Sequence, residues 1–521
     1  MSENRKIVKG AGLVGGLTLI SRIFGLVRDM VIARFFGATM AADAFFIALR
    51  IPNVLRRLFA EGALTVSFIP LFKEAQIKEG REKAREISDV VFTFLSLILA
   101  IIVIFAIIFA PEIVKVIAFG FESPEKYELT VYLTRITFPY LFLICLVALS
   151  MGILNSEGHF AAPAMAPILL NISIIIAAFF LSPLLDEPVV SLAIGVLLGG
   201  VLQVLLQIPF VKRAGYFPRI NLNFSHPALR KLLILMGPAV FGIAVYQLNI
   251  FITTILATLL PEGSVSYLYY ADRFFQLPLG IFVISLATAV LPTMSEQVSS
   301  GRIDNMRESL SFSLKIIFFI TLPAAAGLIA ISVPVFSLFF QRGEFDYETT
   351  LKTASALKYY ALGLWAIGGI KIIVPAFYAM QDMKTPVRAA FMAFGANIVL
   401  SVVLMGPLQH GGLALATTLS ALLNLAILLS IIASKVGKVI DKSVIISFVK
   451  SFLAAIATGV VAYYFSTLAD WKVNGINSEK VIILTGSMAS GVLAYLVSSF
   501  LLRSEEIGYI RKVLKEKRKT R

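Results

Sequence analysis

LTLISRIFGLVRDMVIARFFGATMAADAFFIALRIPNVLRRLFAE, residues Leu17–Glu61, is the stretch on which the reading of the fold turns. Its periodicity predicts two apolar helices joined by the short turn Phe36-Gly37-Ala38-Thr39. Along them sit Arg22, Arg28, Asp29, Arg34, Asp43, Arg50, Arg56, Arg57 and Glu61. An arginine at the centre of a membrane helix costs roughly 2.5–3.5 kcal/mol on insertion scales. A hairpin that carries so many charges implies a polar interior with arginine as its main cation, and function is expected there.

The rest of the chain supplies the membrane. Its 521 residues are 58% hydrophobic and 15% charged, with a mean hydropathy of +0.88, too little charge for the surface of a soluble globular protein of this size. Long apolar runs without strand alternation predict an all-α polytopic membrane protein. Fourteen segments can be placed: 11–36, 41–72, 87–118, 128–155, 162–184, 189–211, 228–260, 265–297, 308–340, 348–380, 386–406, 412–434, 444–467 and 480–503. Several exceed the twenty or so residues that span a bilayer and should tilt or kink, with kinks expected at Pro52, Pro139, Pro278 and Pro323.

A net charge of +15 would suit a nucleic-acid partner, but the cations gather in alternate connections, which is the positive-inside pattern. One set holds Lys73, Lys78, Arg81, Lys83 and Arg85, then Lys212, Arg213 and Arg219, then Arg302 and Arg307, then Lys435, Lys438 and Lys442. The alternating set, such as FESPEKYE and SPLLDEP, has few. Both termini are therefore expected in the cytoplasm, and no nucleic acid is expected as partner. The basic N-terminus is read as the start of a retained first helix, because Arg22 and Arg28 interrupt the apolar run and no small-residue cleavage site closes it. One cysteine, Cys145, and three scattered histidines leave no disulfide framework and no metal-ligand spacing. Nucleotide-binding glycine loops and nucleophile–histidine pairs are missing from the sequence, which speaks against an enzyme.

An internal repeat is visible. ILLNISIII around Asn171 resembles FGANIVLSV around Asn397, a shift of 226 residues, and SLAIGVLLGGVLQ resembles GLALATTLSALLN at a shift of 221. FFIALRIP…SFIPLF and DRFFQLP…AVLPTM share one arrangement of prolines. Two six-helix lobes in parallel orientation are implied, 1–225 and 226–440, around a central cavity. Segments 13 and 14, residues 441–505, fall outside the repeat. Residues 506–521 form a basic amphipathic tail suited to an anionic cytoplasmic leaflet.

Arg22 and Arg28 lie within one sector of the first helix, and Gly25 between them allows a ligand to come close. With Arg56 or Arg57, and Arg273 in the second lobe, they form a guanidinium cluster suited to forked bonds to phosphate. The same residues also admit structural pairing, Arg28 or Arg34 with Asp29, Asp43 or Glu61. Asp43 reads either as an N-cap or as an external gate that pairs with arginine. Arg135 and Lys371 are isolated cations for which packing is the first reading.

SRIFGLVRD, ADAFF, PNVLRRLFAEGA, ITFPY, LLNIS, GGVLQ, YYADR and QDMKTPV, in that order, resemble the MurJ (MviN) family of lipid II flippases in the multidrug/oligosaccharidyl-lipid/polysaccharide exporter superfamily. The resemblance implies fourteen helices in two lobes plus two, no cofactor, and movement of the undecaprenyl-diphosphate-linked peptidoglycan precursor to the outer leaflet of the bacterial inner membrane. It places substrate binding on Arg22, Arg28, Arg56, Arg273, Asn53 and Ser266 and an external gate on Asp43, while Asp29 and Glu61 are read from the residues themselves as ion-pair partners. It also implies a lipid-tail groove on segments 13 and 14. Gln276 departs from the pattern, since some members carry an acid there. Coupling to the membrane potential or a monovalent cation is expected, in a monomer that contacts membrane lipids and the cell-wall synthesis machinery. The competing readings are an exporter of another polyprenyl-linked oligosaccharide and a cation-coupled multidrug exporter.

Overall fold

A computed structural model of the chain describes residues 3–58 and 64–509. Internal packing divides it into two compact units, Met1–Val265 and Ser266–Arg521. The first holds α1 (Glu3–Phe36), α2 (Met40–Leu55), α3 (Thr65–Lys78), α4 (Arg81–Ile108), α5 (Ala110–Ile117), α6 (Pro124–Thr137), α7 (Pro139–Ser156), α8 (Ala161–Phe180), α9 (Val190–Arg213) and α10 (Pro227–Thr258). The second holds α11 (Ser264–Pro278, its first two residues lying in the first unit), α12 (Ile284–Ser299), α13 (Ile303–Ala330), α14 (Ser332–Phe339), α15 (Tyr347–Leu362), α16 (Leu364–Ala379), α17 (Lys384–Val436), α18 (Lys442–Ser466) and α19 (Ser478–Leu501). The protein is an all-helical, multi-pass membrane protein. The sequence repeat groups α10 with the second half of the chain; by packing, α10 lies against α2, α3 and α4.

Among the described residues nine helices are long and apolar enough to cross a bilayer, or ten if α15 and α16, bent by 42° at Gly363, count as one span. One of the nine, the 53-residue α17, is two spans. Gln409 breaks it with φ 49° and ψ −133°, and a Cβ placed on Gly412 would collide with the Leu404 carbonyl oxygen. Eight residues of straight helix would span about 12 Å, so the chain reverses here. The expected segments 386–406 and 412–434 are the two arms of this hairpin. The expected segments 11–36, 41–72 and 228–260 are occupied by α1, by α2 and α3 on either side of 59–63, and by α10.

Helix breaks obey proline chemistry. Pro111 has no N–H for the Ile107 carbonyl, α4 stops at Ile108, and Arg135 Nε donates to that carbonyl at 3.3 Å from α6. This gives Arg135 a structural task. Pro139 separates α6 from α7. Pro52 and Pro278, which stand 226 positions apart, are each followed by wider, π-type turns, at 56–58 and at Leu279–Val283. Helix α13 runs on through Pro323 and breaks only at Ile331. Starts are capped where the sequence offers an oxygen: Asp346, Asp441 and Asn477 accept from the backbone N–H three residues on, at 2.7–2.9 Å.

In the second unit α18 packs on both α13 and α19. The segment after α19 folds back onto them: Lys315 pairs with Glu505, Ser447 donates to Glu506, and Phe312 meets Tyr509 edge-on. The expected tail 506–521 thus begins as a docked segment; residues 510–521 lie outside those described.

Candidate functional site

Near its end α1 buries Ile32, Ala33 and Phe36, and Asp29, at i, i+3, i+4 and i+7 spacing with them, is carried inward on the same face at 2% exposure. A carboxylate so placed needs a cation. Arg28, its neighbour in sequence, wraps back to supply one. Arg28 Nη2 lies 2.6 Å and Nε 3.0 Å from the same oxygen, Oδ1 of Asp29. Nη1 of Arg28 donates to Oδ1 of Asn171 on α8 at 3.0 Å, and Nδ2 of Asn171 donates to the Ser21 carbonyl at 3.2 Å. Arg22 is exposed on the same helix, two turns earlier. The expected pair Arg28–Asp29 therefore forms, with an amide that sequence reasoning marks only as a repeat signature.

A second cluster gathers the turns before α2, α6 and α11. Asp43 stands in the first turn of α2, with Thr39 at the N-cap position. Its Oδ2 accepts from Lys126 Nζ and from the Gly263 N–H, both at 2.9 Å. The ion pair is buried, with side chains 11% and 2% exposed, and Lys126 lies 4.1 Å from the centre of the Phe121 ring. Glu262 accepts from the Met40 N–H at 2.6 Å. Gly120 sits against the end of α10, where a Cβ would come within 2.5 Å of the backbone at Thr258 and Leu259. The sequence left Asp43 open between an N-cap and a gate that pairs with arginine, and neither reading foresaw Lys126 beside it. The signal for it was weak, a lysine in the solvated-looking run FESPEKYE.

Asn53 and Arg56 are half-buried beyond Pro52 on α2, and Arg57 is exposed. Pro52 has no N–H for the Ala48 carbonyl, the N–H of Arg56 reaches the carbonyls of Pro52 and Asn53, and the π-type turns begin at 56. Glu61 lies outside the described residues. In the second unit Ser266 is fully buried, and Arg273 lies over the Tyr269 ring at 4.4 Å while donating to its hydroxyl. Asp272 accepts from Gln276, the residue at the departing position, at 3.2 Å. Among the described residues no group of three His, Cys, Asp or Glu side chains could hold a metal ion. The chemistry on offer is cationic hydrogen bonding by guanidinium groups, with those of Arg28 and Arg273 held by the side-chain partners described above.

A fold of this kind occurs in a solved structure described as the inward-facing conformation of a multidrug resistance MATE family transporter of the MOP superfamily. The two match with a TM-score of 0.67 at 15% identity, over 85% of this chain and 98% of the other. The likeness defines the class by fold alone: a polytopic helical membrane protein of the architecture used by that superfamily. Within the class the assignment is specific. The family profile described as "Lipid II flippase MurJ" matches residues 32–481, and the chain belongs to the MurJ family. A Vibrio cholerae protein described as a probable lipid II flippase MurJ is 36% identical over 511 residues, 96% of this chain and 97% of that one. A solved structure titled "Lipid II flippase MurJ, inward closed conformation" matches with a TM-score of 0.78 at 30% identity, over 95% and 99% of the two chains.

Proposed function

We propose that the protein flips lipid II across the bacterial inner membrane, and that the diphosphate of the substrate is held by Arg22, Arg28 and Arg56, with Arg273 contributing to the same task. It is a transporter and carries out no covalent step. Membership of the family supports the substrate class. The observation that carries the binding role is the Arg28 guanidinium, oriented by Asp29 on its own helix and by Asn171 on α8. A diphosphate carries about two negative charges, and moving it unpaired through hydrocarbon costs tens of kcal/mol in the Born limit. Fixed guanidinium groups replace its water through charge-assisted bonds.

Both termini face the cytoplasm in this reading, which rests on the distribution of cations in the connections. A potential negative inside favours outward movement of an anion by about 2.3 kcal/mol per charge per 100 mV, so the potential drives transport without a cofactor. The protein acts as a monomer among membrane lipids and meets the cell-wall synthesis machinery on the outer side, where its cargo is consumed.

The test is complementation of a bacterium depleted of its own lipid II flippase. Wild type restores growth, while Ala at Arg22, Arg28, Arg56 or Arg273 loses it at normal expression. Lys replacements, which keep charge and lose the fork, restore it partly. Growth with all four Ala variants would refute the arginine assignment. In vesicles, collapsing the potential should slow flipping severalfold; a rate that instead tracks a sodium or proton gradient at zero potential assigns the coupling to that cation.

A further inference from the structure

The amide of Asn171 is set among aliphatic side chains in PILLNISIII and is 6% exposed. A buried carboxamide needs partners for both ends, and both of these lie on one neighbouring helix. Oδ1 accepts a hydrogen bond from Nη1 of Arg28, and Nδ2 donates to the Ser21 carbonyl, seven residues earlier on α1. Gly25 lies between these two points, and a Cβ there would stand 3.7 Å from Nδ2. The amide thus bridges two turns of α1 and grips the guanidinium through a different nitrogen from those that face its own carboxylate.

The choice of an amide has a chemical consequence. Asp29 already supplies one negative charge to Arg28. A second carboxylate at 171 would hold the guanidinium equally well and shift the site toward negative charge, so that an incoming phosphate would meet repulsion. A neutral acceptor orients the cation without adding that charge. We infer that Asn171 is a positioning residue: it fixes the Arg28 fork for the diphosphate and, because it is neutral, keeps the site attractive to an anion. The inference rests on the proposed role of Arg28.

The experiment uses full-length protein in proteoliposomes, with flipping of lipid II measured against its mole fraction. Asn171→Asp is isosteric and preserves the acceptor for Nη1. The expected result is a thermal midpoint in detergent within a few degrees of wild type and flipping reduced at least tenfold. Asn171→Ala keeps the charge and loses the orientation, so its half-saturation rises about tenfold while its maximal rate changes less than threefold. Inorganic pyrophosphate, as a soluble competitor, should inhibit wild type more strongly than either variant. Wild-type flipping by Asn171→Asp overturns the inference. Should that variant fail to fold, Asn171→Ala decides: an unchanged half-saturation assigns Asn171 to packing alone. Arg28→Ala in the same assay separates the two levels. If it flips normally, the diphosphate role of Arg28 fails; if it is inactive while Asn171→Asp is normal, only the positioning role fails.

Discussion

Replacing Lys126 by Met leaves the Asp43 carboxylate buried against the Gly263 N–H and takes away the ammonium that faces it. Removing one partner of a buried pair costs about 3–5 kcal/mol. Lys126→Met should therefore lower the thermal midpoint in detergent more than any substitution at exposed Arg34, and adding Asp43→Asn should recover at least half of the loss. A double-mutant cycle with no coupling would show that the pair stabilises nothing. Arg28 and Asp29 were legible together because they adjoin in sequence. Lys126 stands 83 positions from Asp43, and Asn171 stands 143 from Arg28. No local pattern encodes a contact over such distances. What the sequence could show was that a carboxylate at 43 and an amide at 171, each set in an apolar run, required something.

Elements were more legible than contacts, since hydrophobic length and proline act locally. Among the described residues all fourteen expected segments coincide with helices or runs of helices, and the helix that carries Pro323 continues to a break at Ile331, where the chain meets Pro334. The two wide turns after Pro52 and Pro278 lead to a prediction. Pro52→Ala and Pro278→Ala restore a backbone donor, so each should regularise its helix and raise the thermal midpoint. Flipping should nonetheless fall severalfold if the loosened turns must change shape during transport. Unchanged flipping would mean that the turns are static. At the ends of α3 and α10, Glu74 accepts from both Lys231 and Lys78, which hold its carboxyl down at about 2. A depressed carboxyl stabilises above its unfolded value, about 4.3, and loses that contribution as pH falls through the folded value. The difference between wild type and Glu74→Gln should accordingly be constant from pH 8 to pH 5 and disappear as pH approaches 2, measured by chemical denaturation of the detergent-solubilised protein. The pair is exposed and its effect should also shrink in high salt.

For the molecule as a whole, the repeat expected from the sequence and the two packing units divide the chain at different places. The repeat expected from the sequence would put α10 with the second half of the chain, whereas the packing units place it with the first. Orientation rests on charge alone and has a direct test. In a Cys145→Ala background, a membrane-impermeant thiol reagent applied to intact spheroplasts should label cysteines at Asp186 or Asn474 and spare those at Ser300 or Lys438. The reverse pattern would invert the topology and with it the direction of transport.

The hairpin of α17 also bears on how the protein is made. Its connection GPLQHGG has no residue of fixed charge, and Gly412 packs directly against the Leu404 carbonyl. Two apolar arms with so short a neutral joint leave a ribosome-bound chain no room to lodge one arm and pause before the next. Entry of the two arms as a pair is the expected outcome, and a nascent chain arrested after Met405 with its first arm stably in the bilayer would overturn it.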